Sequence, residues 1–298
     1  MSVLVIIPHY DLLNHLHRPL DAVANADVDA RALIVDNETS AEARDIAASY
    51  PADVTTRVQQ SPAENRNVGI QKARLQKDHE FVCFLDADDS FARGSLAARR
   101  DALAETGADV AGCPTKHSYA DGSKEIRESV TGSWGSHIQL FRGEREVTVH
   151  APLVRSDVIE RHEFDEDYPR CEDWHYWVRV LAEESVVAVD GPPVEYHHHD
   201  GQRSMQDPEE RYLDKHRAAR DLVARYPELE GGARQRERDD WYCAGRLALE
   251  QGDIETAARM ARRSLAASGR QVKAWALLAA TRLGGDRTMR QLERVSTR

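Results

Sequence analysis

Three short apolar runs, Val3 to Ile7, Ala32 to Val35 and Phe81 to Leu85, each stop abruptly in polar residues and are each followed by a helix-like stretch. Unbroken β-branched runs alternating with helices are what a parallel sheet buried on both faces produces. The chain therefore opens as an α/β protein, a mostly parallel sheet with helices on both faces. Ligands of such sheets lie beyond the carboxyl ends of the strands. Those places hold Pro8-His9-Tyr10-Asp11, Asp36-Asn37-Glu38-Thr39-Ser40 and Asp86-Ala87-Asp88-Asp89. If the strands are neighbours, the three segments form one site.

The third segment is the most informative. Side chains on an extended segment alternate, so Asp86 and Asp88 share one face and Ala87 between them leaves room for a ligand. Two acids at a sheet edge are costly unless a cation shares them, and such oxygen-rich places suit Mg²⁺ or Mn²⁺ completed by substrate phosphates. A plain surface turn is the alternative, since Asp and Ser are ordinary turn residues. Between the second and third runs, Pro62 to Gly69 leads into a helix at Gln71. Arg66 and Asn67 at a helix entrance can meet an anion; simple capping by Asn65 or Asn67 explains the same residues. Asp121-Gly122 reads as a hairpin turn.

Further along, Trp174, Trp177, Val178 and Leu181 recur at helical spacing, which makes them a core stripe. Glu172 and Asp173 then fall in the first turn, where acids already complement the helix dipole. Of the adjacent His197, His198 and His199, only alternate ones can face one ion from an extended segment. No spacing supports a zinc site.

A length of 298 residues calls for about two domains. Four scattered cysteines without a Cys-x-x-Cys pair fit reduced thiols, and no segment is long and apolar enough for a membrane span or signal peptide, so a cytoplasmic protein is expected. Residues 231–298 hold 14 Lys and Arg against 8 Asp and Glu, a net of +6, which leaves −17 of the total −11 on residues 1–230. So acidic a body argues against a nucleic-acid partner. From about residue 208 the chain reads as helical, with a hinge at Glu230-Gly231-Gly232. Trp241, Ala244, Gly245 and Ala257 fit a tetratricopeptide repeat beginning near residue 235, and Trp275 follows Trp241 by that repeat's 34 residues. A plain helical hairpin with core tryptophans is the competing reading. So short an array is expected to pack on the body or on another copy of itself, as a homo-oligomer.

Taken together, these motifs resemble the inverting GT-A glycosyltransferases of family 2. The resemblance rests on Pro8-His9-Tyr10-Asp11, Val35-Asp36-Asn37, Asn65-Arg66-Asn67-Val68-Gly69, Asp86 to Asp89, Phe164-Asp165-Glu166 and Glu172-Asp173-Trp174, in that family's order. It covers residues 3 to 204 and implies a nucleotide-sugar glycosyltransferase domain over 1–207; it does not extend to the helical region over 208–298.

The resemblance also implies roles. Pro8, His9, Tyr10, Asp36 and Asn37 would line the nucleotide, Arg66 would lie near base or diphosphate, and Asp86 would reach the ribose or a metal-bound water. Asp88 and His199 would hold Mn²⁺ or Mg²⁺, Asp173 would be the general base, and Glu172 is its nearest rival. The donor would be a nucleotide-diphosphate sugar, UDP-linked by family precedent, and the acceptor a hydroxyl of a glycan or small molecule. His9, Asn37 and Tyr196-His197 depart from the family's usual residues, all on the donor side. Residues Thr115 to His150, with Trp134 and Phe141, are expected on the acceptor side. The alternative function is a non-catalytic scaffold that works through its C-terminal helices.

Overall fold

The computed structural model describes residues 2–10, 12–37, 41–58, 61–129, 136–199, 208–267 and 271–283. The chain divides into two compact units, Met1–Asp200 and Gly201–Arg298. In chain order the first unit begins with β1 (Val3–His9), α1 (His17–Ala24), β2 (Ala30–Asp36), α2 (Glu42–Ala47), β3 (Ala52–Thr56), α3 (Pro62–Gln76), β4 (Phe81–Phe84) and β5 (Ser90–Phe91). It continues with α4 (Ser95–Thr106), β6 (Val110–Gly112), β7 (Thr115–Ser118), β8 (Lys124–Arg127), α5 (Ser136–Arg142), β9 (Pro152–Arg155), α6 (Val158–Arg161), α7 (Glu172–Glu183), β10 (Val186–Ala188) and β11 (Val194–His197).

The main sheet has seven strands in the order β10-β6-β9-β4-β1-β2-β3. Every neighbouring pair is parallel except the two made by β9, which runs antiparallel to β4 and β6. The three apolar runs of the sequence thus become β4, β1 and β2, side by side. Their carboxyl ends share one edge, because adjacent parallel strands point the same way. All but a few of their residues are buried, as a sheet covered on both faces requires. A smaller sheet, β5-β11-β7-β8, stands beside that edge and carries the histidine segment. The β7–β8 hairpin turns at Gly122, as Asp121-Gly122 predicts.

Two local expectations are corrected. The helix after residue 60 starts at Pro62, not at Gln71, so the stretch read as its approach is already helical. Ser61 caps it by accepting from the Glu64 amide while the Glu64 carboxylate accepts from the Ser61 amide, so the cap is neither Asn65 nor Asn67. Arg66 and Asn67 then lie in the second turn, on the buried side. Asn67 spends its amide on another segment, accepting from the Phe164 N–H at 2.8 Å and donating to the Phe164 carbonyl at 2.9 Å.

In the second unit α8 (Pro208–Arg225), α9 (Glu230–Glu250), α10 (Ile254–Ala267) and α11 (Val272–Leu283) follow one another. The predicted hinge at Glu230-Gly231-Gly232 is the first turn of α9; the break lies just before it, in a 3-10 turn over Pro227–Leu229, where proline cannot continue a helix. Gly245 is where α9, α10 and α11 close up: a Cβ there would stand 2.8 Å from Leu277 and 3.2 Å from the Ala257 carbonyl. Trp241 is buried, but Trp275 is 56% exposed, so the two tryptophans spaced by the repeat period are not equivalent. Among the described residues no helix is long and apolar enough to cross a membrane, and all four cysteines are free thiols.

Gly69 brings α3 onto β1. A Cβ at that position would lie 2.3 Å from the Cγ2 of Ile6, a branch methyl with no room to swing away. Gly69→Ala is expected to destabilise the fold by about 1–3 kcal/mol, read as a lowered thermal midpoint with the circular dichroism of the folded state unchanged.

Candidate active site at the sheet edge

The acidic segment leaves β4 as a turn closed by the Asp89 N–H on the Asp86 carbonyl at 3.1 Å. The strand ends at Phe84, yet the alternation persists: Asp86 and Asp88 remain accessible, at 31% and 16%, while Ala87 and Asp89 point inward. One carboxylate pair thus faces the edge and its neighbour is used internally. Asp89 accepts from the His197 amide at 2.8 Å, which pins β11 to the acidic turn. Burial first, then Asp88 and Asp86 beside it, push the Asp89 carboxyl well up. Beneath it lies His150, its Nδ1 3.6 Å from Asp89 and its ring lowered to about 3 by burial and by the Arg99 charge, so this imidazole is neutral.

Because β11 is pinned there, the three histidines diverge. His199 Nε2 lies 2.7 Å from the Oδ2 of Asp88, and the His15 ring stacks on it with centroids 5.3 Å apart. His197 bonds the Ser90 hydroxyl at 3.1 Å. His198 turns to His117, nitrogen to nitrogen at 2.9 Å, and lies flat on Tyr119 with centroids 4.3 Å apart. The alternation argument thus selects His199 beside Asp88. This pair brings one oxygen and one nitrogen together, donors that would make only an incomplete cation shell, and among the described residues no third His, Cys, Asp or Glu joins them. An incomplete shell fits a divalent ion whose remaining ligands are phosphate oxygens and water, and the imidazole suits Mn²⁺ better than Mg²⁺.

Arg66 occupies the centre. Its guanidinium donates to Asp86 at 2.8 Å and to Glu172 at 2.9 Å, and lies 5.3 Å from the Phe164 ring centroid. The two acids come from the acidic turn and from the start of α7, so one side chain joins the segments after β4 and before α7. Asp173, half-buried, stands next to Glu172 in the first helical turn and accepts from the Trp174 amide at 2.7 Å. Trp174, Trp177, Val178 and Leu181 are buried as their spacing predicts, which fixes the helix that carries both acids.

The nucleotide side departs from expectation. His9 and Asp36 are register partners in the β1–β2 ladder, bonded to each other at 3.0 Å and fully buried. They do not line an open surface: the two facing side chains meet through His9 Nδ1 and Asp36 Oδ1 inside the ladder. Pro8 and Asn37 are half-buried at the rim, and Tyr10 is 63% exposed beyond it. Phe141, expected on the acceptor side, is fully buried against Trp174. Asp11, Glu38 to Ser40 and Trp134 lie outside the described residues. Sequence reasoning missed Asp89 as an internal strut, and also His15 and Arg18. Arg18 donates to the backbone carbonyl of Asp88. No spacing marks these contacts, since each joins segments far apart in the chain.

The family model for glycosyl transferase family 2 matches residues 4–154, just over half of the chain. No curated protein matches. Among solved structures, S. aureus TarS 1–349 in complex with UDP-GlcNAc superposes with a TM-score of 0.61 at 15% identity, over 91% of this chain and 93% of that one. TarS 1–349 in complex with UDP gives 0.56 at 14% identity, over 95% and 92%. A longer TarS structure gives 0.60 at 14%, over 94% of this chain and 55% of its own. At these identities the likeness is one of fold.

Burial raises the Glu172 carboxyl from 4.5 to about 7, against the opposing pull of Arg66. The folded chain therefore keeps a proton that the unfolded chain releases, and this group costs stability progressively as pH climbs from 4.5 through 7. Urea unfolding of Glu172→Gln and the parent chain at pH 5 and pH 8 should show the glutamine variant gaining relative stability at the higher pH. An unchanged difference would mean that Glu172 is ionised throughout.

Proposed function

This chain belongs to glycosyl transferase family 2, and from that premise we propose that it moves a glycosyl group from a UDP-sugar to an acceptor hydroxyl in one inverting displacement, assisted by a divalent cation. The observation that carries the reading is the arrangement around Arg66: two accessible acids and a histidine on one side, the Glu172-Asp173 pair on the other. That separation is what a displacement requires, with the departing group and the incoming hydroxyl on opposite faces of the sugar.

In this reading Asp88 and His199 hold Mn²⁺ or Mg²⁺. When bound, the ion supplies Lewis-acid stabilisation of the charge that develops on the diphosphate. Asp86, restrained by Arg66, is left with a second oxygen for the ribose or an ion-bound water. Asp173 accepts the proton of the acceptor hydroxyl; it is the accessible acid of its pair, whereas Glu172 is buried on Arg66. Pro8, Tyr10 and Asn37 border the nucleotide, and His9 and Asp36 shape the floor beneath it. Uridine as the base is inferred from the fold shared with TarS, whose structures hold UDP and UDP-GlcNAc. The scaffold alternative leaves the paired acids without a purpose. Four free thiols, three of them buried, suit a reducing compartment, and we place the protein in the cytoplasm.

Asp173→Asn should lower kcat by about 10²- to 10⁴-fold while UDP binding in the presence of Mn²⁺ stays near that of the parent chain. Asp88→Asn should instead lose the Mn²⁺ dependence of UDP binding. Calorimetry together with a donor-turnover assay separates the two, and proton NMR of the product reports the anomeric configuration. Full activity in Asp173→Asn, or a retained anomer, would overturn the mechanism.

A further inference from the structure

A pyrophosphate group brought to this edge meets an acidic unit, and beyond any bound ion it needs a cation whose charge is not already spent. Arg66, which the family resemblance puts near the diphosphate, is held by two carboxylates. Lys116 is paired with Glu195 at 2.6 Å. Arg99 is wholly buried, donating to the carbonyls of His150 and Ala151.

Arg18 differs from all three. It sits in the first turn of α1, which packs beside β5 directly after the acidic turn, and it donates to the carbonyl of Asp88, a neutral acceptor. Among the described residues no carboxylate is ion-paired with it. It is half-buried, which restricts its rotamers without removing it from solvent. His15, one turn earlier and joined to it by the Arg18 N–H on the His15 carbonyl at 2.9 Å, stacks on His199. One short stretch after β1 thus reaches both Asp88 and His199 with nitrogen groups. No motif of the family resemblance includes it.

We propose that Arg18 is a diphosphate-binding residue, donating to non-bridging oxygens of the donor's pyrophosphate while one N–H stays on the Asp88 carbonyl. This rests on the nucleotide-sugar reading above. A guanidinium offers five N–H donors in a planar fork matched to phosphate, and it keeps its protons throughout. As the bond from the anomeric carbon to the β-phosphate oxygen breaks, both electrons pass to that oxygen. The acceptor oxygen bonds the carbon and its proton goes to Asp173. The added negative charge on the departing diphosphate is what Arg18 stabilises. Its anchor on Asp88 ties that contact to the position of the cation site.

Calorimetry on the full chain with Mn²⁺ tests this. A panel of UDP, GDP, ADP and dTDP first identifies the diphosphate that the parent chain binds; the nucleoside of the same base is the control. Arg18→Gln should weaken the diphosphate by about ten- to a hundredfold, leave the nucleoside unchanged and leave the thermal midpoint near that of the parent. Arg18→Lys should recover part of the loss. Unaltered diphosphate affinity in Arg18→Gln overturns the assignment, as does an equal loss for nucleoside and diphosphate, which would make Arg18 a prop for the acidic turn. A parent chain that binds none of the four diphosphates overturns the donor reading itself, and Arg18's role with it.

Discussion

Arg66 is the interaction on which the site depends. Its two carboxylate partners come from segments 86 residues apart, Asp86 after β4 and Glu172 at the start of α7, and the side chain is almost fully enclosed between them. A cation so buried is tolerable only because both acids and the Phe164 ring compensate its desolvation. The same bonds restrain Asp86, set the start of the helix bearing Asp173 and occupy the arginine. A residue that resembles an anion-binding group in sequence is, in the folded chain, the brace between the two halves of the site.

A second constraint is the division of labour among adjacent residues. Asp88 faces the edge and Asp89 turns inward to hold β11; His199 meets Asp88 while His198 is carried to His117 and Tyr119. These pairs are coupled. The bond from the His197 amide to Asp89, the pairing of β11 with β5 and β7 and the stacking of His15 on His199 together hold His199 against Asp88. The acids that could bind a ligand are thus positioned by the neighbouring acid that does not.

How much was legible beforehand follows from which interactions are local. The apolar runs of β1, β2 and β4, the inward and outward alternation of Asp86 to Asp89, the Asp121-Gly122 turn and the aromatic stripe of α7 each depend on periodicity within a few residues, and each appears in the fold as read. Strand β3 was missed because it is an edge strand with a mixed, half-buried pattern rather than an apolar run. The start of α3 was misread because Asn65 and Asn67 are good capping residues in isolation, while Ser61 and Glu64 form the reciprocal pair that wins. Gly231 and Gly232 suggested a hinge on propensity alone, and tertiary packing kept them helical.

By itself the sequence determined an α/β sheet with acids at its carboxyl edge and a helical remainder, because strand and helix periods are written in consecutive residues. The shared fold of the GT-A enzymes follows from that pattern. Only the tertiary structure decided that Arg66 is consumed between Asp86 and Glu172, that His9 and Asp36 pair with each other beneath the surface, and that Arg18 arrives at Asp88. Those are pairings between distant segments, and which partner a buried charge finds is set by how strands and helices are stacked, information that no local spacing contains.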